Sequence, residues 1–477
     1  MGLTFALFSS HTGLAHANPL FASIWGSVAV ESSSLQQLLD AGNRVALKAW
    51  VQQAKLADLQ KPIKWDDSTG TQVESKLLIW AVVFGESDLV KVLLEKGLDP
   101  NERIENGASA LLLAVLNEQV EALDELLKKG ADPNALLPDT TNSLMLAAQA
   151  GNLKILQRLQ AAGADLSQKK DNGNALLVYA VFGRNLELVK YVLANGAELE
   201  AHNNDGITAL IYAVADGQVD IVKFLLQKGA KIKLSQGANK GFTALMQAAD
   251  SGNNELVNLF LQLKAPISDK EETWGKDALI FAAEKGHFDT LQLLLKHKAN
   301  LQTQSIEKNT LLMFAAGSGN LEMVQYLLKQ GLNLKAENKY QENALYFAAE
   351  KGHLKILEYL VQKGLSPSAP SISNQNGFVI AALNGHLNIV DYFLKKGHNP
   401  NLKHTAFQTT ALNYAVINGH TQIVEALLKK GANPDLRDPE GKNALDYAQE
   451  FERPELLIRL NQYQNKQLRQ KSAGPGQ

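Results

Sequence analysis

Hydrophobic positions along this chain recur in a fixed three-part register. An alanine stands at Ala81, Ala114, Ala147, Ala180, Ala213, Ala248, Ala282, Ala315, Ala348, Ala381, Ala415 and Ala448, at steps of 33 residues interrupted only by steps of 34 or 35. Three places before it comes a leucine, from Leu78 and Leu111 to Leu412 and Leu445, with Phe378 the one exception. Nine places after it comes a valine or leucine, from Val90 and Leu123 to Val424 and Leu457. A short apolar run ends just past each alanine. After a glycine-containing break, a second run is spaced as in Val222, Leu225 and Leu226, which predicts two amphipathic helices joined by a tight turn. The small alanine lets those helices approach closely. Self-similarity at this period defines an all-α solenoid of about twelve helix pairs.

Length alone would suggest about three globular domains at ~150 residues each. The repeat overrides that reading, because each unit can bury its apolar face only against its neighbours, so the array is expected to be one elongated body. At roughly 10 Å per helix layer it would be on the order of 120 Å long.

Repeat five reads Asp205, Gly206, Thr208, Leu210, Ala213, Gly217, Val222, Leu225, Leu226, Gly229 and Ala230, and in these residues the unit resembles an ankyrin repeat. The resemblance covers residues 76–466. It implies a non-enzymatic scaffold for protein partners, with the turns between repeats and the exposed side of the first helix as the usual binding face. One departure is systematic: the family's Thr-Pro-Leu-His opening is here Thr-Ala-Leu, as at Thr208 to Leu210, Thr243 to Leu245 and Thr410 to Leu412. Proline at a first helical position is pre-organised but dispensable. The polar residue two places before the leucine is kept (Ser109, Asn142, Thr208, Thr243, Asp277, Thr310, Asn343, Asn376, Thr410, Asn443). An N-cap oxygen there is worth about 1 kcal/mol per helix.

Both ends read as caps. Leu35, Leu38, Gly42, Asn43, Leu47, Trp50 and Val51 keep the register with Leu38 in the alanine place, so residues 34–75 form a degenerate starting repeat with an insertion within Ala57 to Ser75. In the last repeat the inter-helix glycine becomes Glu452, and Glu455, Arg459, Asn461, Gln462 and Gln464 give the second helix a polar outer face. Residues 467–477 have no periodicity and are expected to be a disordered tail. Residues 1–17 share none of the pattern. Leu3 to Phe8 is apolar and Ala15-His16-Ala17 before Asn18-Pro19 resembles a cleavage site, a candidate signal peptide that lacks a basic opening. A true start upstream of Met1 would explain that lack. Export to the periplasm or outside the cell is the expectation, with a cytoplasmic protein as the alternative.

Lys plus Arg number 47 and Asp plus Glu 49, a net charge of -2 with no basic run, which argues against nucleic acid as a partner. No apolar stretch is long enough for a membrane span, and a monomer is expected. With no cysteine there is neither disulfide nor thiolate chemistry. No phosphate loop, nucleophile elbow or His-Glu-x-x-His occurs, so neither catalysis nor a cofactor is expected. His287, His353, His386 and His420 each follow the inter-helix glycine, where other repeats have Asn152, Asn185, Asn253 or Asn320. Both residue types can bond backbone groups at the helix turn. As a metal site the row is poor, because neighbouring ligands one repeat apart stand ~10 Å from each other against bonds near ~2 Å. Phe281, Phe314 and Phe347, with Trp80, Tyr179, Tyr212, Tyr414 and Tyr447 in the same register, read as packing between layers.

Trp274, Tyr340 and Phe407 stand eight residues before the alanine, at the tips of the inter-repeat turns in repeats seven, nine and eleven. A loop tip gives no core reason for a large aromatic. Past the alanine, on the first helices, lie Val83 and Phe84, Leu116, Phe182, Leu383 and Ile417, set among Asp216, Asp250, Glu284, Lys285, Glu350 and Lys351. Aromatic anchors in a polar rim suggest a protein-binding face built on Trp274, Tyr340, Phe407, Phe84 and Phe182. Two other roles fit the same sequence: an effector translocated to a target cell, or an accessory subunit of a cell-envelope enzyme.

Overall fold

A computed structural model of the chain describes residues 35–40, 42, 44–66, 72–170, 172–233, 240–365 and 372–472. The candidate signal peptide lies outside these residues. Each repeat is a helix pair. The first helix is short, as in Ala278–Lys285, and the second runs antiparallel to it, as in Phe288–Lys296. All twelve register alanines are buried to at most 1 % exposure, and so are the +9 valines and leucines except Leu457. Leu445 and Leu457, both in the last repeat, are only half-buried because no further repeat covers them. That exception shows that the register encodes contact between neighbours.

The chain divides into two compact units at Asn204 and Asp205. The first opens with the degenerate repeat, helices Leu35–Asp40 and Arg44–Gln53, where Leu38 is buried in the alanine place beside Leu47 and Val51. The insertion holds a short helix, Leu56–Leu59, and a two-stranded antiparallel hairpin, β1 (Ile63–Asp66) and β2 (Gln72–Ser75), in register from Ile63 opposite Ser75 to Asp66 opposite Gln72. Ile63 anchors the hairpin by its own burial. Four full repeats follow, from Leu77–Val83 with Ser87–Glu95 to Leu176–Phe182 with Leu186–Ala194. Amide side chains stitch them together: Asn134 donates to the Gly163 carbonyl at 3.3 Å and accepts from the Asp165 amide at 2.8 Å.

The second unit carries eight repeats, from Ala209–Ala215 with Val219–Gln227 to Ala444–Glu450 with Pro454–Ser472. N-caps largely follow the sequence. Asp277 accepts from the Ile280 amide at 3.0 Å, Thr243 from Met246 at 3.2 Å, and Asn443 forms a capping box with Asp446. Three of the expected caps differ. Thr208 has extended N-cap backbone and a buried hydroxyl that meets no partner among the described residues, and at Thr310 the Met313 sulfur takes the N-cap amide at 3.3 Å. Asn376 is not a cap at all, because repeat ten starts its first helix at Ile372 and runs to Leu383. Nothing between Ile372 and Asn376 stops a helix, and Gly377 lets it pass against Ala349 and Tyr346. The last helix continues to Ser472, past Gln467 where the sequence reading placed a disordered tail. Gln467, Leu468, Arg469 and Lys471 favour helix, and the first breaker is Gly474, outside the described residues.

Candidate functional site

Three turns between repeats in the second unit are held from inside by a buried acceptor, Glu271, Asn338 or His404. In finger seven the Glu271 carboxylate takes the backbone N–H of Thr273 at 2.7 Å, Trp274 at 2.9 Å and Lys276 at 2.9 Å. In finger nine the Asn338 side-chain oxygen takes Tyr340 N–H at 2.9 Å and Glu342 N–H at 3.0 Å. In finger eleven the acceptor is the imidazole Nδ1 of His404, which takes Ala406 N–H at 3.2 Å and Phe407 N–H at 3.4 Å. A left-handed residue follows each aromatic: Gly275, Gln341 and Gln408, at φ 66°, 59° and 53°. These constraints fix the turn backbone and leave the aromatic pointing out, with Trp274 52 %, Tyr340 56 % and Phe407 54 % exposed. Pre-organisation of this kind lowers the entropy cost of binding.

Neighbouring tips are also bonded to one another. Ile306 N–H donates to the Trp274 carbonyl at 2.9 Å, and Lys339 N–H to the Glu307 carbonyl at 3.0 Å. The Tyr340 hydroxyl donates to Glu307 Oε1 at 3.3 Å, and the Glu307 charge raises the phenol pKa. Trp274, Ile306 and Tyr340 therefore follow one another on three joined fingers. Ile306, 50 % exposed, escaped the sequence reading because it stands one place out of register, with Glu307 in the aromatic position. A pattern of any large apolar residue near the tip would have found it. Phe407 stacks on His404 at 4.5 Å and meets Tyr414 edge-on at 6.5 Å.

Phe84 and Phe182 lie in the first unit, on the ends of their first helices. Phe84 rests on Trp80 at 4.8 Å and Phe182 meets Tyr179 at 5.8 Å. They are 41 % and 38 % exposed. The five expected anchors are thus split, two in one unit and three in the other. In the second unit several of the corresponding helix ends are charged and paired within the chain. Lys285 reaches Asp250 of the previous repeat at 3.6 Å, Lys351 reaches Glu350 at 3.5 Å, and Lys276 reaches Glu284 at 2.8 Å. Burial pushes the Asp250 carboxyl pKa up, against the pull of Lys285. The Lys276 ammonium also lies 5.8 Å from the Phe281 ring and 5.5 Å from Phe314. The aromatic stripe is therefore packing between layers: Phe314, Trp80, Tyr179, Tyr212 and Tyr447 are buried, while Phe281, Phe347 and Tyr414 are half-buried.

The histidine row binds backbone. Nε2 of His287, His353, His386 and His420 lies 2.9, 3.1, 3.0 and 3.0 Å from the carbonyls of Asp250, Gly317, Glu350 and Leu383, each in the preceding repeat. A carbonyl accepts, so each ring donates from Nε2. Asn185 and Asn320 also reach the preceding repeat, at the carbonyls of the inter-helix glycines Gly151 and Gly286, and they cap their own second helix. Among the described residues no group of three His, Asp or Glu is arranged to hold a metal ion, and no helix is long and apolar enough to cross a membrane.

The ankyrin-repeat family model, three repeats to a copy, matches residues 33–136, 144–236, 233–305, 279–371 and 378–470. The chain belongs to the ankyrin-repeat family, whose members are generally non-enzymatic scaffolds for protein–protein interaction. No match is found among curated proteins.

Proposed function

We propose that the chain captures a protein partner on the finger tips of its second unit, with Trp274, Ile306 and Tyr340 as adjoining anchors and Phe407 as a further one. The observation that carries this reading is the combination of large exposed apolar side chains with turns whose backbone is fixed by buried acceptors and by tip-to-tip bonds. Aromatic anchors in such settings supply most of the energy of an interface. The paired charges on the neighbouring helix ends suit its polar rim. Phe84 and Phe182 would serve a separate patch on the first unit. The near-balanced charge supports a protein target rather than nucleic acid.

The same proposal places the protein, as a monomer, in the periplasm or outside the cell, on the strength of Ala15-His16-Ala17 before Asn18. Sequencing the mature N-terminus tests the location. A start at Asn18 supports export, and retention of Met1 in the cytoplasmic fraction refutes it. A photoreactive side chain at Tyr340 tests the surface. It is expected to crosslink a discrete partner in native cells, whereas the same group at Lys429, at the end of a second helix, gives none. Equal crosslinking from both positions would refute the tip reading.

A further inference from the structure

Finger eleven differs from fingers three, seven, nine and twelve in the kind of atom that holds its tip. Glu271, Asn338, Asp438 and Asp139 all offer a side-chain oxygen to the tip amides. An amide or carboxylate oxygen still accepts in mild acid. An imidazole nitrogen does not, because the protonated ring has two donors and no acceptor. With Nδ1 accepting, the neutral His404 ring carries its proton on Nε2, which is buried and meets no acceptor among the described residues. One face of the ring is covered by Phe407 at 28° between planes. A second proton would set a donor against two N–H groups and place a charge in a desolvated site.

The charged and titratable groups around this turn are already engaged. Lys403 donates to the Arg437 carbonyl at 2.6 Å, Arg437 pairs with Asp446 at 3.1 Å, Asp438 takes the Tyr447 hydroxyl, and Tyr414 meets Phe407 edge-on. Among the described residues none pairs with the imidazole, and burial lowers the ring's pKa below its ordinary value.

We propose that His404 is a proton-operated latch: protonation at Nδ1 breaks its bonds to the Ala406 and Phe407 amides and frees the turn that presents Phe407. Any effect on a bound partner rests on the reading of Phe407 as an anchor, whereas the opening of the turn does not. The folded ring titrates below the unfolded value of 6.5. The latch is therefore fully stabilising above that pH and loses its contribution as pH falls toward the folded value.

Amide hydrogen exchange on the full chain between pH 7.5 and 5, corrected for intrinsic exchange, reads the latch without any partner. Opening at Ala406 and Phe407 is expected to rise by up to about tenfold per pH unit below about 6.5, while Tyr340 and Glu342, held by Asn338, stay flat. His404→Asn, which supplies the finger-nine acceptor, is expected to abolish the rise. A flat response in the parent chain, or the same slope in the variant, overturns the proposal. Selective labelling of histidine adds an independent check in the parent chain. An imidazole of His404 titrating at or above 6.5 also overturns it. Loss of partner capture at low pH in the parent but not in His404→Asn would extend the latch to binding. Opening with unchanged capture would leave the latch standing and refute Phe407 as an anchor.

Discussion

The imidazole of His386 lies so close to Gly352 that a Cβ on the glycine would stand 2.7 Å from Nδ1. The same contact recurs between His287 and Gly252, His353 and Gly319, and His420 and Gly385. The inter-helix glycine therefore meets two demands at once, a left-handed backbone at φ 79° in Gly352 and room for the ring that bonds the preceding repeat. Gly431 meets only the first: its φ is 85°, and a Cβ there would find nothing within 4 Å. Gly431→Ala is expected to cost about 1–2 kcal/mol for the left-handed alanine. Gly352→Ala should add about 1–3 kcal/mol of overpacking to a similar strain. Denaturant unfolding of both variants checks the difference. Equal costs would show that the histidine contact contributes nothing.

Ala315 is fully buried in repeat eight, whose first helix packs between those of repeats seven and nine. Ala315→Leu should overpack these layers and cost about 1–3 kcal/mol. Hydrogen exchange should show the loosening confined to repeats seven to nine. Uniform protection across the second unit would contradict neighbour-only packing.

Burial raises the Asp277 carboxyl pKa above its ordinary value, despite the Ile280 amide and Thr303 hydroxyl that favour the charge. The folded state therefore holds this proton more tightly than the unfolded chain. Its stabilisation is complete below about pH 3.8 and is lost as pH rises through the raised folded value. At neutral pH the buried charge is a net cost. Asp277→Asn keeps a capping oxygen of the kind that Asn142, Asn343 and Asn443 supply elsewhere. It should raise stability at pH 7 and flatten the stability profile above pH 4. A loss of stability at pH 7 would contradict the assignment.

Much of this was legible because packing between neighbours repeats its demands in sequence: the alanine, the −3 leucine (Phe378 in repeat ten) and the +9 aliphatic residue mark the same buried places in every repeat but the last. The tip aromatics were legible for the opposite reason, since nothing in the fold calls for Trp274, Tyr340 or Phe407 where they stand. What escaped lay off register or depended on partners distant in sequence. Ile306 sits one place early, and the helix of repeat ten ignores the Asn376 start that its relatives would use. The role of His404 emerges only when its ring is seen beneath the Phe407 amide. Likewise, the division of Phe84 and Phe182 from the other anchors is a property of the folded units, not of the repeat.

The central claim is that the finger tips of the second unit hold the partner, and one comparison tests it most directly. Parent protein and the Trp274→Ala, Tyr340→Ala, Phe407→Ala triple variant are used as bait in extracts of the native cell, with helical content and melting measured alongside. The account predicts that at least one protein is captured by the parent and lost with the variant, at unchanged helicity and melting. Capture of the same set by both baits would contradict it.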